Sequence, residues 1–109
     1  MVARHHGSMT VTSLLELSLT PAAVDDVDGT NRLITATLEA TRAFTGCLGV
    51  DVLVDVDDPA HVTVLERWES IEHDDAYRAW RQTPDGASQL GSLLAAAPRL
   101  TRYAAVDGV

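Results

Sequence analysis

Lysine is absent from this chain: all 8 of its Lys and Arg positions are arginine. That absence is a signature of GC-rich codon usage and excludes no chemistry. Cysteine is almost absent. The single thiol, Cys47, excludes an internal disulfide and a cysteine-built zinc site. One unpaired cysteine suits a reducing compartment, so a cytoplasmic location is expected. Positive charge is scarce against 16 acids, and the formal net charge is −8. An acidic domain repels phosphate backbones, so no nucleic-acid partner is expected. The acids are dispersed along the chain, and solubility is their plain explanation. Long apolar runs are missing too. No stretch approaches the ~20 residues of a membrane span, and nothing reads as a secretory signal, so no membrane partner is expected.

What is present is enough for a core. Hydrophobic residues make up 46% of 109 residues, which suits one folded domain. Residues 1–8 read Met-Val-Ala-Arg-His-His-Gly-Ser, like an expression-tag remnant. They are set aside, with His5 and His6, and the natural domain is taken as 9–109.

Thr10 to Leu19 starts β-branched and partly alternates, which predicts a strand. Thr20-Pro21 then opens a helix with a good cap and a tolerated first residue. That helix is expected to reach about Phe44, with a break near Asp28-Gly29, and to end at Gly46. Cys47 to Val56 alternates Val50, Val52, Val54 and Val56 against Asp51, Leu53 and Asp55, the clearest strand in the chain. Asp57-Asp58-Pro59 predicts a hairpin turn, and His61 to Trp68 the returning strand. Ser70 caps a second helix to about Gln82. Thr83-Pro84-Asp85-Gly86 breaks it. A third helix is expected over Ala87 to Ala97, then a last strand over Arg99 to Val106. The order β-α-β-β-α-(α)-β is the split βαβ, ferredoxin-like pattern of an α+β fold with an antiparallel sheet and an extra short helix. Helices on one face leave the other uncovered, and apolar residues on both faces of the strands point to a homodimer through that sheet face.

Gly46-Cys47, Asp58-Pro59 and the run Glu66-Arg67-Trp68-Glu69-Ser70, with a helix ending Tyr77-Arg78-Ala79-Trp80 behind it, form a connected series. The series resembles the antibiotic-biosynthesis monooxygenase family. The resemblance implies a dimeric α+β barrel with one pocket per subunit between sheet and helices. It also implies a candidate activity: cofactor-independent oxygenation of a small aromatic molecule, phenolic or quinol-like, whose own carbanion reduces dioxygen. Other relatives degrade haem, and others have no known activity. Two positions depart from the family. The position nine residues after Trp80 is Gln89, where the haem-degrading branch has an axial histidine, so haem degradation is disfavoured. The position four before Trp68 is Val64, where the polyketide-oxygenating branch has an oxyanion-stabilising asparagine.

Trp68 shares strand parity with Val62, Val64 and Glu66, which puts it on the helix-covered face, as a ring-stacking pocket wall or as a core tryptophan. Glu66 faces the same interior, as a proton acceptor or as an ion-pair partner of Arg102. Glu16 poses the same question. His73, Tyr77 and Trp80 fall at i, i+4 and i+7 of the second helix. They are read as base, hydrogen-bond donor and pocket wall, or as the face of an ordinary amphipathic helix. Glu66, His73 and Tyr77 are thus the candidate catalytic residues, and Trp68, Trp80, Val64 and Gln89 the candidate substrate contacts. His61 is expected to be exposed, and Cys47 buried and inert. Neither His61 nor His73 has an i, i+4 partner, so no metal is expected, and the resemblance implies no cofactor. The competing functions are a non-catalytic small-molecule-binding or stress-associated dimer, and a packed interaction module with no pocket.

Overall fold

A computed structural model of the chain describes residues 9–109; the tag-remnant reading of residues 1–8 lies outside them. Strand β1 runs Val11–Ser18. The Thr20 side chain then accepts from the Ala23 amide at 3.1 Å, and Pro21 takes the first helical position of the short α1, Pro21–Asp25. The chain breaks at Asp26, two residues before the expected place. Asp26 turns there because its carboxylate caps α2, Val27–Ala43, accepting from the Gly29 amide at 3.1 Å. Past α2, Gly46 sits at φ +90°, a conformation that suits glycine. A Cβ there would collide with the His73 ring, so the same glycine lets α3, Ile71–Arg81, approach.

Strands β2, Cys47–Asp55, and β3, Asp58–Trp68, form the ribbon predicted from the alternating valines. The turn is tighter than expected. Val56 and Asp57 make it, and Asp58 already pairs with Asp55. Ser70 caps α3, and β4 runs Arg99–Ala104. All pairings are antiparallel in the order β2-β3-β1-β4, which is the ferredoxin-like arrangement.

The expected third helix is corrected to a single 3-10 turn, Leu90–Leu93. Local and tertiary competition explain the loss. The Ser88 hydroxyl accepts from the Leu90 amide, and the Ser92 hydroxyl donates to the Gln89 carbonyl. Gly91 weakens the middle of the stretch. The end of β1 then captures the backbone beyond Leu93, with Leu94 bridged to Leu19 and the Ala95 amide donating to Ser18 at 2.7 Å.

Strand parity sorts the two faces of the sheet. Val11, Ser13, Leu17, Val50, Val62, Val64, Glu66 and Trp68 are buried beneath the helices. One cluster centres on Leu17, Ile34, Leu38 and Val64, a second on Val11, Trp68 and Tyr77. The opposite face carries Leu14, Glu16, Leu53, His61, Leu65 and Tyr103, none of them buried. Glu16 is therefore not interior. It lies on the open face, where His61 Nε2 meets its carboxylate at 2.9 Å and His61 Nδ1 meets Asp55 at 3.0 Å. A neutral imidazole has one N–H for two carboxylates, so the clamp favours the imidazolium. The bond to Asp55, then that to Glu16, pushes the His61 pKa above its ordinary 6.5. The resulting stability is fully present below the ordinary histidine value and is lost as pH rises through the raised one. The melting temperature is expected to decline across that window, and His61→Gln to flatten the decline; an equally steep fall in the variant would refute the clamp.

Candidate functional site

The end of β3 carries the chemistry. Alternation turns Glu66 and Trp68 inward, to 1% and 0% exposure. The Trp68 indole N–H donates to Glu66 Oε1 at 3.3 Å, and Arg78 of α3 donates to the same oxygen at 2.5 Å. Burial raises the Glu66 pKa; the Arg78 charge and the bonds from Trp68 and Arg78 draw it back without cancelling the burial. Arg78 stands between two buried acids. Its Nε lies 2.9 Å from Asp74 Oδ1, off the line of a hydrogen bond, so that contact is Coulombic. Asp74 is fully buried, and Ser13 donates to its other oxygen at 2.7 Å.

Arg102 does not pair with Glu66. It reaches Asp75 at 2.6 Å and Asp74 at 3.4 Å. The register gives the reason. Ser13 of β1 pairs with Glu66 on one side and Arg102 on the other. Two strand spacings, about 9–10 Å, therefore separate the acid from its expected partner.

Aromatic rings close the corner. The Trp68 and Tyr77 centroids lie 5.0 Å apart, Phe44 and Tyr77 5.3 Å, Phe44 and Trp80 5.5 Å. Such tilted and edge-on pairs add to burial. The Tyr77 hydroxyl is already engaged, with Thr41 at 2.6 Å and with Arg81 Nε donating at 2.7 Å. Arg81 also donates to the carbonyls of Thr37 and Gly86 and lies over the Trp80 ring at 4.9 Å. One guanidinium thus ties α2, α3 and the turn beyond α3 together.

Of the sequence candidates, Glu66, Trp68, Tyr77 and Trp80 meet here. His73 does not join them; it is half-buried, its Nδ1 2.7 Å from the Ser70 hydroxyl. Val64 is buried in the other cluster, and Gln89 is exposed at the start of the 3-10 turn. Cys47 is half-buried rather than fully buried, and burial pushes its thiol up, away from the thiolate. Sequence reading missed Ser13, Asp74, Arg78 and Arg81. The signal was there: Asp74–Arg78 and Tyr77–Arg81 are both i, i+4 pairs on α3. Among the described residues, no three His, Cys, Asp or Glu side chains gather as metal ligands. No helix of the described residues is long and apolar enough to cross a membrane.

A concavity of about 580 Å³ lies at the far end of the helix-covered face, among Val24, Val27, Ile34, Val52, Val54 and Val62, and does not touch Trp68. Trp68 packs instead with Phe44, Tyr77 and Trp80 in one cluster.

Known proteins share this architecture. The profile described as antibiotic biosynthesis monooxygenase matches residues 16–86. Among solved structures, a Mycobacterium tuberculosis protein is 25% identical with TM-score 0.69, covering 90% of this chain and 96% of its own. A structure described as an antibiotic biosynthesis monooxygenase is 23% identical with TM-score 0.69, covering 88% and 98%. A conserved protein of Methanosarcina mazei Go1 is 17% identical with TM-score 0.71, covering 89% and 93%. No curated protein matches the sequence.

Proposed function

Because the chain belongs to the antibiotic biosynthesis monooxygenase family, we propose that it oxygenates a small phenolic or quinol-like molecule without metal or prosthetic group, at the corner where Glu66 meets Trp68. The observation that carries this reading is Glu66: a buried carboxyl with a raised pKa, against an indole, inside a cluster of aromatic rings. In the reaction Glu66 takes the phenolic proton, and the phenolate gives its electrons to dioxygen. One oxygen atom becomes a new ring carbonyl; the other leaves as water with two hydrogens from the substrate, so a phenol and dioxygen yield a quinone and water. Trp68 stacks on the ring. Entry requires the two half-buried rings, Phe44 and Trp80, to swing outward.

A second reading, non-catalytic binding of an aromatic molecule, draws support from Arg78, whose hold on Glu66 opposes its use as a base. Incubating the protein with a panel of hydroquinones, with and without oxygen, separates the two. Oxygen-dependent formation of the hydroxyquinone, above the rate without protein, is expected, falling roughly 100-fold in Glu66→Gln and also in Trp68→Phe. Thermal stabilisation by the same compounds without turnover supports binding alone; neither effect would sink both readings.

The open sheet face fits a second copy of the chain. Leu53 and Tyr103 are 48% and 52% exposed there, and Leu14 and Leu65 lie between them, only half-buried. Light scattering on the same preparation reports the mass; a persistent monomer would count against the dimer.

A further inference from the structure

We propose that the cavity between α2 and the β2–β3 ribbon is a second binding site, for a small neutral aliphatic molecule with one hydrogen-bonding head group. Its volume of about 580 Å³ falls within the roughly 300–1,000 Å³ of small-molecule sites. Val52 and Val54 share the helix-facing parity of Val50, yet they are 43% and 58% exposed, and Val27 across the cavity is 58% exposed. The core face of the ribbon runs on past the helix that should cover it.

The lining defines the guest. None of its residues is ionisable, so a charged ligand would lose its water without gaining a counter-charge. None is aromatic, so a flat ring finds no stacking partner, whereas branched aliphatic side chains pack well against a branched aliphatic body. Polar groups stand on one side only. The Thr30 hydroxyl is taken by the Ala23 carbonyl at 2.6 Å, which leaves Asn31 and Thr35, one turn apart on α2 and both exposed, to receive a hydroxyl or carbonyl head.

This site is separate from the Glu66 corner. The buried Ile34, Leu38, Val50 and Val64 lie between the two, and Asn31 is about 15 Å along α2 from Thr41.

The test is a titration of methyl-labelled protein with geraniol, a neutral branched alcohol, monitored by methyl NMR. Saturable shifts are expected at Val24, Val27, Ile34, Val52 and Val54. Geranic acid, ionised at pH 8, is expected to bind at least tenfold more weakly, and 2-naphthol likewise. Val54→Trp fills the cavity mouth from an exposed position and is expected to abolish the shifts, with Val27→Trp as the alternative should the first not fold. The double variant Asn31→Ala, Thr35→Ala is expected to weaken geraniol about tenfold, and Trp68→Phe to leave it unchanged, which keeps this outcome independent of the oxygenase reading. The proposal falls if geraniol gives no saturable shift, if the acid or the naphthol binds as tightly, or if the same methyls move on dilution without ligand, which would make the cavity a contact between copies of this chain.

Discussion

Trp68→Ala is expected to lower the unfolding free energy by about 3–5 kcal/mol, the cost of emptying a large aromatic site in a closed core. Trp68 is fully buried, meets Tyr77 and Phe44 ring to ring, and anchors the Glu66 carboxylate through its indole N–H. Domains of this kind hold only about 5–15 kcal/mol in total, so the variant sits near the edge of folding at ambient temperature. Urea denaturation monitored by circular dichroism measures the loss. Trp68→Phe keeps an aromatic ring and is expected to lose less. A loss under about 1 kcal/mol for the alanine variant would show that Trp68 lines open space rather than core, and would reverse the description of this corner as packed.

Arg78→Met is expected to cost a similar amount at neutral pH, about 3–5 kcal/mol, because it leaves the buried Glu66 without a cation and the buried Asp74 with only the 3.4 Å contact to Arg102. Glu66 and Asp74 are 1% and 0% exposed, and Arg78 is the cation that both of them touch. The deficit depends on pH in a definite direction. The Glu66 pKa is already raised by burial, and loss of the guanidinium raises it further. A carboxyl with a raised folded pKa is least harmful below its unfolded value and increasingly harmful as pH rises through the folded one. The variant is therefore expected to recover toward acidic pH, and the double variant Arg78→Met, Glu66→Gln to recover at neutral pH as well. Paired urea melts at two pH values check this; a pH-independent deficit would mean that Arg78 acts through its packing alone.

Much of the buried face was legible from spacing. The parity of Val62, Val64, Glu66 and Trp68 placed all four inside, because a strand allows only two faces and one run of apolar residues fixes which is inward. The cap at Thr20 and the cap at Ser70 marked helix starts correctly, since both depend on local chemistry. Pairings set by strand order were not legible. Arg102 looked like the partner of Glu66, but sheet order interposes Ser13, and α3 supplies Arg78 instead. The stretch after Gly86 read as a helix from its leucines, but the edge of β1 competes for the same backbone groups and wins. The cavity was equally invisible. Val52 and Val54 keep the inward parity of Val50 yet stay exposed, and no local pattern in the valines of β2 records where a helix stops covering them.

The placement of the two tryptophans has a practical consequence. Trp68 and Trp80 are the only indoles in the chain, and both belong to one cluster, the first enclosed and the second half-buried beneath Arg81. Intrinsic fluorescence from this protein is therefore a one-address signal. Red-shifted emission, or acrylamide quenching above that of the half-buried Trp80, would report the opening of the Glu66 corner in the folded protein. A guest lodged among the valines at the other end of α2 would leave that emission dark to its arrival, so a silent fluorescence titration says nothing about whether that second chamber is filled.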